Sequence, residues 1–368
     1  MQFPTMRFYF AIIGLLATLC QTSLAQPLDA STFEATVSSL REKYGARAVI
    51  AGAWQGDREI SRMALGSSIN GVPASTDMTI RIGGVSQWFM GTLVMKLAEQ
   101  GHFSLDDKIS KWLPDLYQAE NVTVGMLMRN TGGYKDHVRV EEFQDLVLAD
   151  PFRQFTPDEL IDVSVKDRES VFPPGTSQQY SHTEFVILAK VLEKATGRSM
   201  SELYQKELLE PLGLTRTGYS ETADLPVPLL HAFSSDRGVY EDSTFWSISW
   251  AGDSGPLYST LDDLVKWAPI FGQGKLLTEK SFQELVRRPE VAPPGEVYFA
   301  SGFVVSGGWY FQNPSLNGYS GMMGYLPEED LTLMVFATQS KGSKVGHPAM
   351  KIFLDLAPVV APEHPLSF

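Results

Sequence analysis

Two short stretches hold side chains whose types and spacing could do chemistry: "GGVSQ" at residues 83 to 87 and "YSH" at 180 to 182. The first lies where an apolar segment turns through two glycines into a run with Val85, Trp88, Phe89, Leu93 and Leu97 at helical spacing. A hydroxyl at a helix mouth with an amine one turn further on would form a nucleophile and its base. In this stretch Gln87 lies one turn beyond Gly84, and neither supplies a hydroxyl or an amine. Ser86 is the nearby hydroxyl, but two residues beyond Gly84 it is turned roughly 200° around the helix, and Phe89, not a base, follows it one turn later. In the second stretch His182 brings an imidazole, the side chain best suited to general acid–base work near neutral pH, next to the Tyr180 phenol and the Ser181 hydroxyl.

Other motifs have plainer readings. "WAGDSGP" at 250–256 contains the Gly-Asp-Ser-Gly of chymotrypsin-like proteases, but it leads into "LYSTLDDLVKW", a helix with Ser/Thr capping, rather than into an all-β pattern. The pairs Asp106-Asp107 and Asp262-Asp263 sit at turns or first helical turns, where carboxylates cap free N–H groups. The six histidines show no metal-ligand spacing, so no metal and no cofactor is expected.

The elements that must position these residues follow from periodicity. "STFEATVSSLREKY" reads as a helix, and "GARAVIAGAWQGDREISRMALGSS" as two strands joined at a Gly-Asp turn. The region from about Ser104 to Asp242 is mostly helical with Pro and Gly punctuation. Strands return in "VYFASGFVVSGGWYF", "LNGYSGMMGYLP" and "LTLMVFATQ", and a helix around "HPAMKIFLDL" closes the chain. The expected fold is α/β of the α+β type, with an antiparallel sheet built from the N- and C-terminal segments and flanked by helices. The sheet lobe is expected at about 30–84 and 290–368, and an inserted, mainly helical lobe at about 85–289. The cleft between them is the expected site.

Composition bounds the function. The 368 residues are 43% hydrophobic and 20% charged, and the net charge of −13 disfavours nucleic acid and anionic surfaces. Arg7, an apolar run from Phe8 to Leu19 and the small residues before Ala25 have the layout of a secretory signal cleaved after residue 25, leaving 26–368 as a single domain. A periplasmic or secreted protein with no stable membrane span after cleavage is therefore expected. Cys20 is the only cysteine, so the mature chain would have no disulfide and no thiolate metal site.

The run "IRIGGVSQWFMGTLVMKLAEQGHFSLDDKISKWLPDL" resembles the serine β-lactamase-related family: class C β-lactamases, penicillin-binding DD-peptidases and related esterases. The resemblance continues in order through "VTVGMLMRNTGG", "PPGTSQQYSHTEFVILAKVLEKATGRSM", "EPLGLTRTGY", "GPLYSTLDDLVKW" and "YSGMMGYLPEEDLTLMVF". It implies a β-lactamase/DD-peptidase-like fold and acyl transfer by a Ser-x-x-Lys pair, assisted by a Tyr-x-Asn element and a His/Lys-x-Gly strand.

Mapped onto this chain, the resemblance places Gly84 at the nucleophile and Gln87 at the lysine. Tyr180 and Ser181 keep the Tyr element while His182 replaces its Asn, and Asn130 stands where many relatives have His. Tyr319, Ser320 and Gly321 are aligned with the His/Lys-x-Gly strand. Tyr180, His182 and Tyr319 are thus the candidate catalytic residues, with Gly84, Ser86, Gln87, Trp88, Asn130, Ser181, Ser320 and Gly321 as the candidate binding set. Trp88, Tyr134, Tyr180, Trp250, Tyr258 and Tyr319 are the aromatic residues expected at the cleft. Two functions remain open: a non-hydrolytic pseudoenzyme binding a small molecule or peptide, and an enzyme of altered, non-covalent acid–base mechanism such as a lyase, isomerase or cyclase. Residual serine hydrolysis is a third. Serine and lysine restored at 84 and 87 are expected to return slow ester hydrolysis.

Overall fold

The computed structural model describes residues 29–366, so the expected leader and Cys20 lie outside the described residues. Helix α1 (Ala30–Tyr44) opens on Asp29, whose carboxylate accepts from Thr32 N–H, and stops at Gly45, whose φ of 62° is left-handed. A hairpin follows, β1 (Ala46–Gln55) and β2 (Arg58–Ile69), turning at the expected Gly-Asp pair. The intervening region supplies α2 (Ser86–Glu99), α3 (His182–Thr196) and α4 (Leu261–Gly272). The chain then returns through β3 (Trp309–Gln312), β4 (Tyr319–Leu326) and β5 (Leu331–Gln339) to α5 (Pro348–Val360).

These strands form one antiparallel sheet in the order β2–β1–β5–β4–β3, with β1 paired directly to β5, so that the two chain ends meet at its centre. Val304–Ser306 and Tyr298–Phe299 extend its β3 edge. The two-residue period of β5 divides two cores. Leu331, Leu333, Val335 and Ala337 join Phe33 and Val37 of α1 and Ile352 and Phe353 of α5, while Met334 and Phe336 join the other face. On that face α2 is held by ring stacking, Trp88 on Phe271 at 4.8 Å and Phe89 on Trp267 at 4.0 Å between centroids. Gly91 lets the helix lie against the Ser301 carbonyl, since a Cβ there would be 2.1 Å from that oxygen.

The segment before α2 does not join the large sheet. Ile80–Arg81 pairs with Leu257–Ser259, which also pairs with Gly218–Tyr219 in a separate three-stranded sheet. This small sheet ties the mouth of α2 to the chain around residue 257. No helix among the described residues is long and apolar enough to cross a membrane.

Candidate functional site

The entrance to α2 is a 3-10 turn, Gly83–Val85, begun by a left-handed Gly83 with φ 41°. Ser86 is fully buried, and its Oγ accepts from the Leu257 N–H at 3.1 Å. It therefore fastens the helix start to the small sheet and faces away from the cleft. Gly84 does line the cleft, a cavity of about 660 Å3. A Cβ built on Gly84 would lie 2.5 Å from the Asn313 carbonyl oxygen and 3.3 Å from Gln312 Cγ. The nucleophile position thus lacks a hydroxyl and is also closed by main chain.

One turn on, Gln87 is fully buried with both ends of its amide engaged. Its Nε2 donates to the Tyr180 hydroxyl at 2.5 Å and to the Ser254 carbonyl at 3.2 Å, and its Oε1 accepts from Gln312 Nε2 at 3.1 Å. A neutral amide thus bridges three segments where a cationic amine is expected. No charge at this position needs compensation, which suits a site so far from water. Burial holds the Tyr180 phenol well above its ordinary range against the opposing pull of Gln87, so it stays protonated. Gln178 fixes the approach to Tyr180 by donating to the carbonyls of Arg129 (2.8 Å) and Phe299 (2.7 Å).

Beyond Tyr180 the chain enters α3, with Ser181 at the N-cap and His182 as the first helical residue. His182 Nδ1 lies 3.2 and 3.1 Å from the two carboxylate oxygens of Asp136. A carboxylate only accepts, so Nδ1–H is the donor, and in the neutral imidazole the lone pair is on Nε2. The Asp136 side chain is 2% exposed and also accepts from the backbone N–H groups of Val138 and His182, each at 3.2 Å. Burial works to raise Asp136, but the His182 hydrogen bond and the nearby imidazoles prevail and hold it below the usual carboxylate value. The neighbouring His137 is a different case. Its Nε2 donates to the Trp250 carbonyl at 2.8 Å, its Nδ1 faces Thr183 Oγ1 at 2.9 Å, and burial pushes it down to about 4, so it is a neutral strut.

The loop carrying Asp136 is itself anchored by a buried acid. Glu184, two residues into α3 from His182, accepts from the N–H groups of Gly132 (3.1 Å) and Tyr134 (3.2 Å). Burial pushes it up to about 8 in spite of these donors. Asn130, at φ 57°, accepts from Ser181 N–H at 2.7 Å through Oδ1, joining the same loop to the α3 entrance.

Of the expected residues, the structure brings Gly84, Tyr180 and His182 together at the cleft, with Gln87 buried behind Tyr180 and bonded to its hydroxyl. Tyr319 does not reach it: it is 5% exposed and its hydroxyl donates to the Leu230 carbonyl at 2.5 Å. Ser320 points to the opposite face, where its Oγ donates to the Ala337 carbonyl and accepts from Ala349 N–H at the start of α5. Gly321 is packed on Pro314 and Phe336, within 2.6 Å of a built Cβ. The wall expected from Tyr319–Gly321 is instead supplied by Gln312, Asn313 and Ser315, on the strand that precedes β4 in the hairpin. Asn130 and Ser181 shape the loop from behind the cavity wall, and Trp88 is core. Trp250 lines the cavity, but Tyr134 is spent on the Tyr117 carbonyl and Tyr258 sits in the small sheet. Sequence reasoning missed Asp136, Gln312 and Asn313. Asp136 lies only three residues beyond "TGG" but 46 from its partner, and no linear spacing marks it.

Among the described residues no group of three or more His, Cys, Asp or Glu could hold a metal ion. The beta-lactamase family model matches residues 33–355. The chain belongs to the beta-lactamase family. It is 20% identical over 274 residues to the putative penicillin-binding protein PbpX of Bacillus subtilis, covering 74% of this chain and 65% of that protein. A D-aminopeptidase of Brucella anthropi is 31% identical over 170 residues, 44% of this chain and 30% of that protein, so the match spans less than two thirds of either relative. Two solved structures share the fold. One is a D-stereospecific amidohydrolase from Streptomyces sp., with TM-score 0.78 and 23% identity over 89% of this chain and 98% of that one. The other is the D-amino acid amidase of Ochrobactrum anthropi SV3 complexed with D-phenylalanine, with TM-score 0.74 and 20% identity over 89% and 97%.

Proposed function

We propose that this member of the family binds a small molecule or short peptide in its inter-lobe cleft without forming an acyl-enzyme, and that it does so as an exported, periplasmic or secreted protein. The observation that carries this reading is the saturated Gln87 amide, bonded to Tyr180, Ser254 and Gln312 beside a Gly84 closed by the Asn313 carbonyl. An attacking hydroxyl and its base have no room there, while a cavity of about 660 Å3 remains open next to them. That volume suits a ligand of amino-acid-amide or dipeptide size. Fold relatives solved with phenylalanine and with its amide support a ligand of that scale. Export rests on the charged, apolar and small-residue layout of residues 7–25.

The test is a thermal-shift screen of the purified protein against D- and L-amino acid amides and acyl dipeptides, with intact-mass analysis of each sample. The reading predicts a raised melting temperature for at least one ligand class and no mass increase. A stoichiometric acyl adduct would contradict it.

A further inference from the structure

We propose that the cleft hydrolyses neutral carboxylic esters by direct attack of water, with His182 as general base, Asp136 as its positioning residue and the Tyr180 hydroxyl as donor to the carbonyl oxygen. This rests on the reading that the cleft takes a ligand without acylation. The His182 side chain is 23% exposed and lines the cavity, and no hydrogen bond among the described residues engages its Nε2. Both oxygens of Asp136 accept from Nδ1–H while two backbone N–H groups fix the carboxylate, so the lone pair on Nε2 of the neutral imidazole is the group left to the cleft.

Tyr180 supplies the complementary group. Its oxygen accepts from Gln87, so its own proton is available, and its ring meets the His182 ring edge-on at 4.9 Å between centroids. An acceptor and a donor therefore stand side by side on one wall. Val138, Trp250, Tyr298 and Phe299 also line the cavity, and no Lys, Arg, Asp or Glu does so among the described residues. A ligand carboxylate would find no fixed cation, which favours a neutral acyl compound.

The step balances with water alone. Water on Nε2 loses a proton to it as its oxygen bonds to the carbonyl carbon, and the carbonyl electron pair moves onto oxygen, which accepts from Tyr180. Collapse breaks the bond to the alcohol, which takes the proton back from Nε2. Acid and alcohol leave, and the imidazole is regenerated. A single neutral donor on the oxyanion suits esters rather than amides, whose poorer leaving group needs more stabilisation.

The experiment follows turnover of p-nitrophenyl acetate, butyrate and phenylacetate by the full chain, with intact-mass sampling during the reaction. Wild-type protein is expected to turn over at least one ester, and His182→Ala to lose about 100-fold or more in kcat. Asp136→Asn is expected to lose about 10- to 100-fold in kcat with KM little changed. His182→Gln, which can still donate to Asp136, repeats the loss should the alanine variant fold poorly. Absent turnover, or turnover unchanged in both His182 variants, overturns the proposal. An acyl adduct on the protein overturns instead the non-acylating reading beneath it.

Discussion

Replacing Gly84 by alanine adds one methyl group at a point where the fold leaves none. The new Cβ would sit 2.5 Å from the Asn313 carbonyl oxygen, 3.3 Å from Gln312 Cγ and 3.4 Å from Gln312 Cδ. The nearest atom is backbone, so a side-chain rotation cannot relieve the contact. The Gln312–Pro314 segment must retreat, straining the 3.1 Å bond from Gln312 to Gln87 and the 3.0 Å bond from Gly321 N–H to the Pro314 carbonyl. Overpacking costs about 1–3 kcal/mol, and weakening a buried hydrogen bond adds about 1 kcal/mol, for a total near 3 kcal/mol. With an unfolding entropy of roughly 2.1 cal/mol/K per residue over 368 residues, the melting temperature should fall by about 4 °C. Thermal unfolding of Gly84→Ala beside Gly346→Ala, where nothing lies within 4 Å of a built Cβ, separates this contact from a general effect of the substitution. Equal melting temperatures for the two variants would refute the claim that Asn313 closes the position.

Further predictions address the rest of the site. Gln87→Ala should destabilise the protein by about 2–4 kcal/mol in chemical denaturation, because it opens a cavity and strands the Ser254 carbonyl and the Gln312 amide. The double variant Gly84→Ser with Gln87→Lys, which the sequence alone marks as a restoration, should remain unlabelled by fluorescent penicillin, since the serine Cβ meets the same carbonyl. Burial pushes Glu184 up to about 8 and Asp253 up to about 7, so each stabilises most below the ordinary carboxylate range and loses that contribution as pH rises through those values. His137, pushed down to about 4, works in the opposite sense, its contribution being complete above 6.5 and lost as pH falls to 4. The melting temperature should therefore decline from pH 6.5 to pH 8.5, and less steeply in Glu184→Gln; a rise over that interval would count against the buried acids.

The architecture was legible because it is written in short-range patterns. The period-two alternation of "LTLMVFATQ" sets Leu333 and Val335 against Met334 and Phe336, and the structure assigns them to opposite cores. The helix start at residues 83 to 87 was legible too, and its phase turns Ser86 away from the cleft, so Ser86 does not join the binding set it was expected in. The cleft's far wall was not. Residues 312–316 and 319–326 are arms of one hairpin, and the eye is drawn to "GYSG", yet the arm beside α2 is the one carrying Gln312 and Asn313. A motif assigned by residue type alone cannot tell two adjacent antiparallel strands apart. Asp136 was missed for a related reason. Its bond to His182 depends on how the loop at 130–138 folds onto the start of α3, and that fold is set by Asn130 and Glu184 gripping backbone N–H groups. Aromatic residues were over-assigned to the cleft, because Trp88, Tyr134 and Tyr319 find buried partners of their own.

The deciding property of this cleft is whether it can be acylated. Intact-mass spectrometry of the purified protein after prolonged exposure to excess penicillin and to a fluorophosphonate, with an active family relative treated in parallel, asks this directly. The arrangement around Gly84 and Gln87 predicts an unmodified mass for this protein and a stoichiometric adduct on the relative. A one-to-one adduct here, mapped by peptide sequencing to any serine lining the cleft, would contradict it.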